Sequence, residues 1–113
     1  MTGPAVQVIW CTAPADAAPT LASALVEERL VACVNVLPGV TSTYRWEGQV
    51  ETEQEVLLMM KTTAARRGAL TTRLEELHPY DVPEILTMDL ADGEAYEPYE
   101  RWVRQQVESE DKE

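Results

Sequence analysis

The chain has 113 residues, 45% of them apolar, and a formal net charge of −11. That length makes one domain (residues 1–113) with a core of its own. The charge lacks the basic footprint that nucleic acid and anionic membranes require, and no apolar run approaches the roughly 20 residues of a membrane-spanning helix. The N-terminus carries no basic region followed by an apolar block. Cys11 and Cys33 suit a reducing compartment rather than a disulfide framework. A soluble, cytoplasmic protein is expected, with no nucleic-acid and no membrane partner.

Ordered structure is expected from about residue 6 to 107. Val6–Thr12 is rich in β-branched and aromatic residues and reads as a strand. Ala13-Pro14-Ala15 ends it. Asp16 stands where an N-cap belongs, and a helix is expected from there to about Val31, with Leu21, Ala22, Leu25, Val26 and Leu30 as its buried stripe. Val31–Thr62 reads as two long antiparallel strands joined at Glu47-Gly48, since glycine accepts the positive φ of a tight hairpin. The returning strand changes character midway. Gln49–Glu55 alternates acidic and polar residues, whereas Val56–Met60 is apolar at every position, which marks a strand covered on both faces. A second helix, capped by Thr62 or Thr63, carries Leu70, Leu74 and Leu77 on one face and stops at Pro79. Val82–Leu90 is a fourth strand, with Pro83 placing it at a sheet edge. Pro98 can start a last helix with Tyr99, Trp102, Val103 and Val107 as its stripe, and 108–113 is an acidic, solvated tail.

Right-handed connections turn this order into an α+β, ferredoxin-like βαββαβ sandwich with an antiparallel sheet in the order fourth, first, third, second, plus an extra C-terminal helix. Two helices cover only one face of such a sheet. Leu57 and Met59 point to the other, and leaving them wet forgoes roughly 1.5–3 kcal/mol each. Either the last helix or other copies of the chain must cover them, and a homo-oligomer is the favoured reading. Cys11 and Cys33 fall on strands two spacings apart, about 10 Å, beyond the roughly 7 Å that a disulfide spans. Free thiols are expected.

The chemical inventory is short. One histidine excludes two-histidine zinc motifs, and no CxxC, glycine-rich phosphate loop or GxSxG elbow occurs. No nucleophile with a base can be read from spacing, so no enzyme is expected. The topology brings Cys11 and His78 to one end of the sheet, a thiolate and imidazole pair suited to copper or zinc, with Asp81, Glu84, water or a neighbouring chain to complete it. Against that stand the ordinary roles of a buried cysteine as a small hydrophobe and of a helix-terminal histidine as a dipole complement. Lys61 ends the central strand, as a residue covering apolar surface with its stem or as an anion partner. Glu51, Glu53 and Glu55 read as a wet hairpin face that discourages edge pairing. Trp46 beside the turn reads as an aromatic that packs on a partner chain or a ligand.

Several motifs occur in order from Cys11 to Trp102: Cys11-Thr12-Ala13-Pro14, Arg29–Asn35, Pro38-Gly39, Tyr44-x-Trp46-x-Gly48, Glu55 through Lys61-Thr62, and His78-Pro79-Tyr80-x-x-Pro83-Glu84. Together they resemble the CutA divalent-ion tolerance family. The resemblance implies a ferredoxin-like subunit in a homotrimer whose sheets face the threefold axis, with long hairpins reaching onto neighbours. It implies divalent-metal binding, copper above all, contributing to metal tolerance, with Cys11 and His78 as ligands. Some members carry a second histidine before the position of His78, where this chain has Leu77. It also marks Trp46, Lys61, Tyr80 and Glu84 as lining a cleft between subunits. The alternative is a PII-like signalling or small-ligand-binding trimer using that cleft.

Overall fold

The computed structural model describes residues 3–108. In chain order these form β1 (Val6–Ala13), α1 (Ala18–Glu27), β2 (Cys33–Trp46), β3 (Gln49–Thr63), α2 (Ala64–Leu77), β4 (Ile85–Asp89) and α3 (Glu97–Val107). The strands make one antiparallel sheet in the order β2-β3-β1-β4. This is the expected ferredoxin-like βαββαβ sandwich with its additional helix. Beyond Glu108, the acidic tail lies outside the described residues.

β1 and β3 run side by side at the centre because they are the most apolar strands. Their register, Cys11 opposite Leu58 and Ile9 opposite Met60, puts these four side chains on one face. That face packs on Leu21 and Leu25 of α1, Leu30 beyond it, and Leu70 and Leu74 of α2. All of these are buried, each contributing about 1.5–3 kcal/mol for a full-sized aliphatic. The opposite face carries Val8, Trp10, Leu37, Leu57, Met59, Leu86 and Met88. α3 covers only one end of it, where Val103 and Val107 pack on Val6 and Ala32. Leu86 and Met88 remain 56% and 52% exposed, with the indole N–H of Trp10 donating to the Met88 sulfur at 2.8 Å.

The β2–β3 hairpin is much longer than the sheet that supports it. Its register shifts between Leu37 and Val40, at the Pro38-Gly39 break, then continues to Trp46 opposite Gln49. The turn is tight. Both Glu47 (φ 50°) and Gly48 (φ 83°) are left-handed, as a two-residue hairpin turn requires. The outer half is exposed on both faces, while Glu55, where it enters the sheet, is buried.

Local expectations at α1, α2 and β4 are corrected. The helix expected to run to Val31 ends at Glu27, because the chain closes it with a Schellman motif. Arg29 adopts φ 60°, its N–H bonds to Val26 O, and the N–H of Leu30 bonds back to Leu25 O. Val26, within the helix, lies exposed rather than in the stripe. At the other end the N-cap is Ala17, without a side-chain cap, not Asp16. Pro19 has fixed the start of the helix in its first turn instead. Thr63 occupies the N-cap of α2 but makes no side-chain cap bond, and the hydroxyl of Thr62 instead donates to Leu30 O at 2.7 Å. Finally, the fourth strand begins at Ile85, after Pro83. Among the described residues it is an edge strand, paired with β1.

Candidate functional site

α2 stops because Pro79 cannot continue it. His78 becomes its C-cap with extended backbone (φ −73°, ψ 137°), its N–H bonding to Leu74 O. This turns the imidazole onto the end of β1, where Nε2 lies 2.8 Å from Thr12 O. Nδ1 accepts the Tyr80 backbone N–H at 3.1 Å. A carbonyl only accepts, so Nε2 carries the hydrogen and Nδ1 the lone pair. The Cys11 thiol donates to the same Thr12 carbonyl at 3.5 Å. One carbonyl oxygen thus gathers both side chains.

The surroundings set the chemistry. Burial, followed by the nearby carboxylates of Glu84 and Glu55, pushes the Cys11 thiol up to about 12. It holds its proton at neutral pH and is no nucleophile there. Tyr80 lays its ring against the imidazole, with centroids 4.8 Å apart, and its hydroxyl donates to Glu55 Oε1 at 3.3 Å. Burial and then the Glu55 charge push that hydroxyl up to about 12. Cys11, His78, Tyr80, Glu55 and Glu84 therefore share one end of the sheet. Glu55 is the member that pattern reading left on the wet hairpin. The available signal was its position as the last acidic residue before the apolar run, where the strand enters the core.

Trp46 and Lys61 lie elsewhere. Trp46 ends β2 at the hairpin tip, half-exposed. Lys61 stands on β3 opposite Cys33, donating to Asn35 Oδ1 and lying 3.7 Å from the Cys33 sulfur. Burial, then the neighbouring Cys33, raises the Tyr99 hydroxyl at the same place. The strand between Gln49, which faces Trp46, and Lys61 is about 40 Å long at the usual rise. One protomer therefore does not unite Trp46, Lys61, Tyr80 and Glu84 into a cleft. Both cysteines are free, on opposite faces with β3 between their strands.

As metal ligands, Cys11 and His78 do not form a ready cage. The thiol is protonated and both imidazole nitrogens are engaged. Leu77, at the position before His78, packs against the core. Among the described residues no three His, Cys, Asp or Glu side chains converge on a point. A resident ion does not fit these residues as they stand. An arriving ion would have to displace the thiol proton and the Tyr80 N–H, or turn the ring.

The fold has known counterparts. A family model described as CutA1 divalent ion tolerance protein matches residues 7–106. A "Divalent-cation tolerance protein CutA" of Thermus thermophilus is 48% identical over 100 residues, covering 88% of this chain and 95% of the relative. The crystal structure of CutA1 from Oryza sativa superposes with a TM-score of 0.89 at 37% identity, covering 96% of this chain and 100% of that one. A structure described as a PII-like protein CutA from Nostoc, in apo form, gives 0.85 at 36% identity, covering 89% and 96%. Among the described residues no helix is long and apolar enough to cross a membrane. The match over residues 7–106 and the shared fold make this chain a member of the CutA divalent-ion tolerance family.

Proposed function

We propose that the protein contributes to divalent-cation tolerance in the cytoplasm by taking up copper as a labile cargo, as a homotrimer and without catalysing a reaction. One observation carries the reading: Cys11 and His78 meet at the Thr12 carbonyl, and thiolate with imidazole is a donor pair that copper favours. Uptake exchanges existing bonds. The imidazole gives up one hydrogen bond, worth about 0.5–1.5 kcal/mol, and the thiol gives up a proton it holds up to about pH 12. Each copper therefore releases one proton, and affinity rises about tenfold per pH unit through the neutral range. The half-covered face of the sheet supports the trimer, since Trp10, Leu57, Met59, Leu86 and Met88 make a contiguous apolar surface of the kind that monomers seldom leave open.

The test is a copper titration against a weak chelator on the native protein, Cys11→Ser and His78→Ala, each first checked for trimer mass by light scattering. Stoichiometric copper in the native protein, lost in both variants, supports the reading. Equal binding by all three, or none surviving the chelator, overturns it. A second reading, a PII-like trimer binding a small ligand between subunits, is favoured by Lys61. Its ammonium lies on the half-covered face beside Asn35 and Cys33, where a neighbour could bring Trp46. A ligand lost with Lys61→Ala would select it.

A further inference from the structure

A second cleft lies at the other end of α2. It measures about 540 Å³ and is lined among others by Thr63, Ala65, Arg66, Arg101 and Arg104, within the range of roughly 300–1,000 Å³ for small-ligand pockets. In a chain of net charge −11 with nine basic residues, three arginines line this one cleft. Among the described residues their charge is only partly answered. Arg101 donates to Glu97 Oε1 at 2.6 Å, and Arg104 shares the same carboxylate at 3.7 Å. Glu108 stands at the rim. Arg66 donates through Nε to a neutral acceptor, the Arg29 carbonyl, at 3.3 Å, and among the described residues no carboxylate pairs with it.

The sequence sharpens the imbalance. Helices favour acidic residues in the first turn and basic ones in the last. α3 obeys, with Glu97 and Glu100 first and Arg104 last. α2 does the reverse. It opens Ala64-Ala65-Arg66-Arg67, with no acid in its first turn and no side-chain bond from its cap residue. The first turn of this helix and three arginines therefore line one open volume.

We infer that this cleft binds a small phosphoryl anion, a pyrophosphate or an organic phosphate, held by Arg66, Arg101 and Arg104. The planar guanidinium fork matches two phosphoryl oxygens at once, and three forks around one volume select a multiply charged anion over chloride. Arg101 would exchange the exposed Glu97 carboxylate for the ligand, while Arg66 and the half-hidden Arg104 form the fixed part. The site is separate from the Cys11–His78 end, since the 14 residues of α2 span about 20 Å.

The experiment is isothermal titration of the full chain with inorganic pyrophosphate at fixed ionic strength, with sulfate and citrate in parallel. The expected result is saturable pyrophosphate binding at one per chain, weakened at least tenfold by Arg66→Gln with Arg104→Gln. Arg73→Gln, whose partners Glu28 and Glu76 lie away from the cleft, should bind as the native chain does. Circular dichroism checks each variant. If the double variant does not fold, Arg66→Lys replaces it, which keeps the charge but loses the fork, and a severalfold weakening is expected. Citrate binding as tightly as pyrophosphate would overturn the phosphoryl assignment. Absence of saturable binding, or undiminished binding by the Arg66 variants, would overturn the site.

Discussion

The two faces of the sheet are built from the same kind of side chain and meet different surroundings. Leu58 and Leu57 are neighbours on β3. Leu58 lies at 0% exposure beneath α1 and α2, whereas Leu57, on the opposite face, is only partly buried. The difference comes from coverage, not composition: two crossover helices must lie on the same side of a ferredoxin-like sheet, and α3 is too short to shield the whole of the other. A covered face stabilises the protomer, and an apolar face left partly open is what the proposed trimer would bury.

The contrast can be broken or sharpened by substitution. Leu58→Ala should lower the stability of the chain by about 2–5 kcal/mol, read as a shift in the urea midpoint. Leu57→Ala should cost less in that assay and appear instead as loss of oligomer mass at low micromolar concentration. A smaller effect concerns Cys11 on the covered face. Its thiol is raised from 9.0 to about 12 on folding, so the unfolded chain binds fewer protons than the folded one between those values. Stability is therefore intact below about pH 9 and falls above it, by up to about 1.4 kcal/mol per unit. Cys11→Ala should flatten that alkaline loss in equilibrium melts. Tyr80→Phe should cost about 0.5–1.5 kcal/mol at pH 7 through its bond to Glu55, visible as a modest drop in Tm. Val50→Thr on the exposed outer hairpin should change the stability of the chain by less than about 0.5 kcal/mol, and a larger loss would mean that the hairpin is packed against a neighbour.

Much of this was legible in the chain because the signals were long-ranged and redundant. The apolar run Val56–Met60 identified the central strand, and the alternation of Gln49–Glu55 identified the projecting half of its hairpin. Topology then separated the cysteines and brought Cys11 near His78. What stayed hidden depended on single hydrogen bonds. No pattern announces that Arg29 rather than a glycine takes the left-handed position that ends α1, or that Pro19 rather than Asp16 fixes its start. The burial of Glu55 depends on the Tyr80 hydroxyl reaching it across 25 positions of chain, and the double use of the Thr12 carbonyl depends on backbone geometry alone. The arginine cleft is assembled from residues of two helices far apart in the chain, with no motif to join them.

The left-handed Arg29 has a consequence for how the molecule comes apart. Glycine would enter that conformation freely, but glycine has no guanidinium. Arg29 donates through Nη1 to the carbonyl of Gln106 at 2.9 Å, in the last turn of α3, where helix carbonyls lack internal partners. The residue that closes the first helix therefore also holds the end of the last one, 77 positions away. Opening of α3 removes a compensation for backbone strain at the end of α1. The amides of these two segments, remote in sequence, should lose hydrogen-exchange protection together, as one cooperative unit spanning nearly the whole chain.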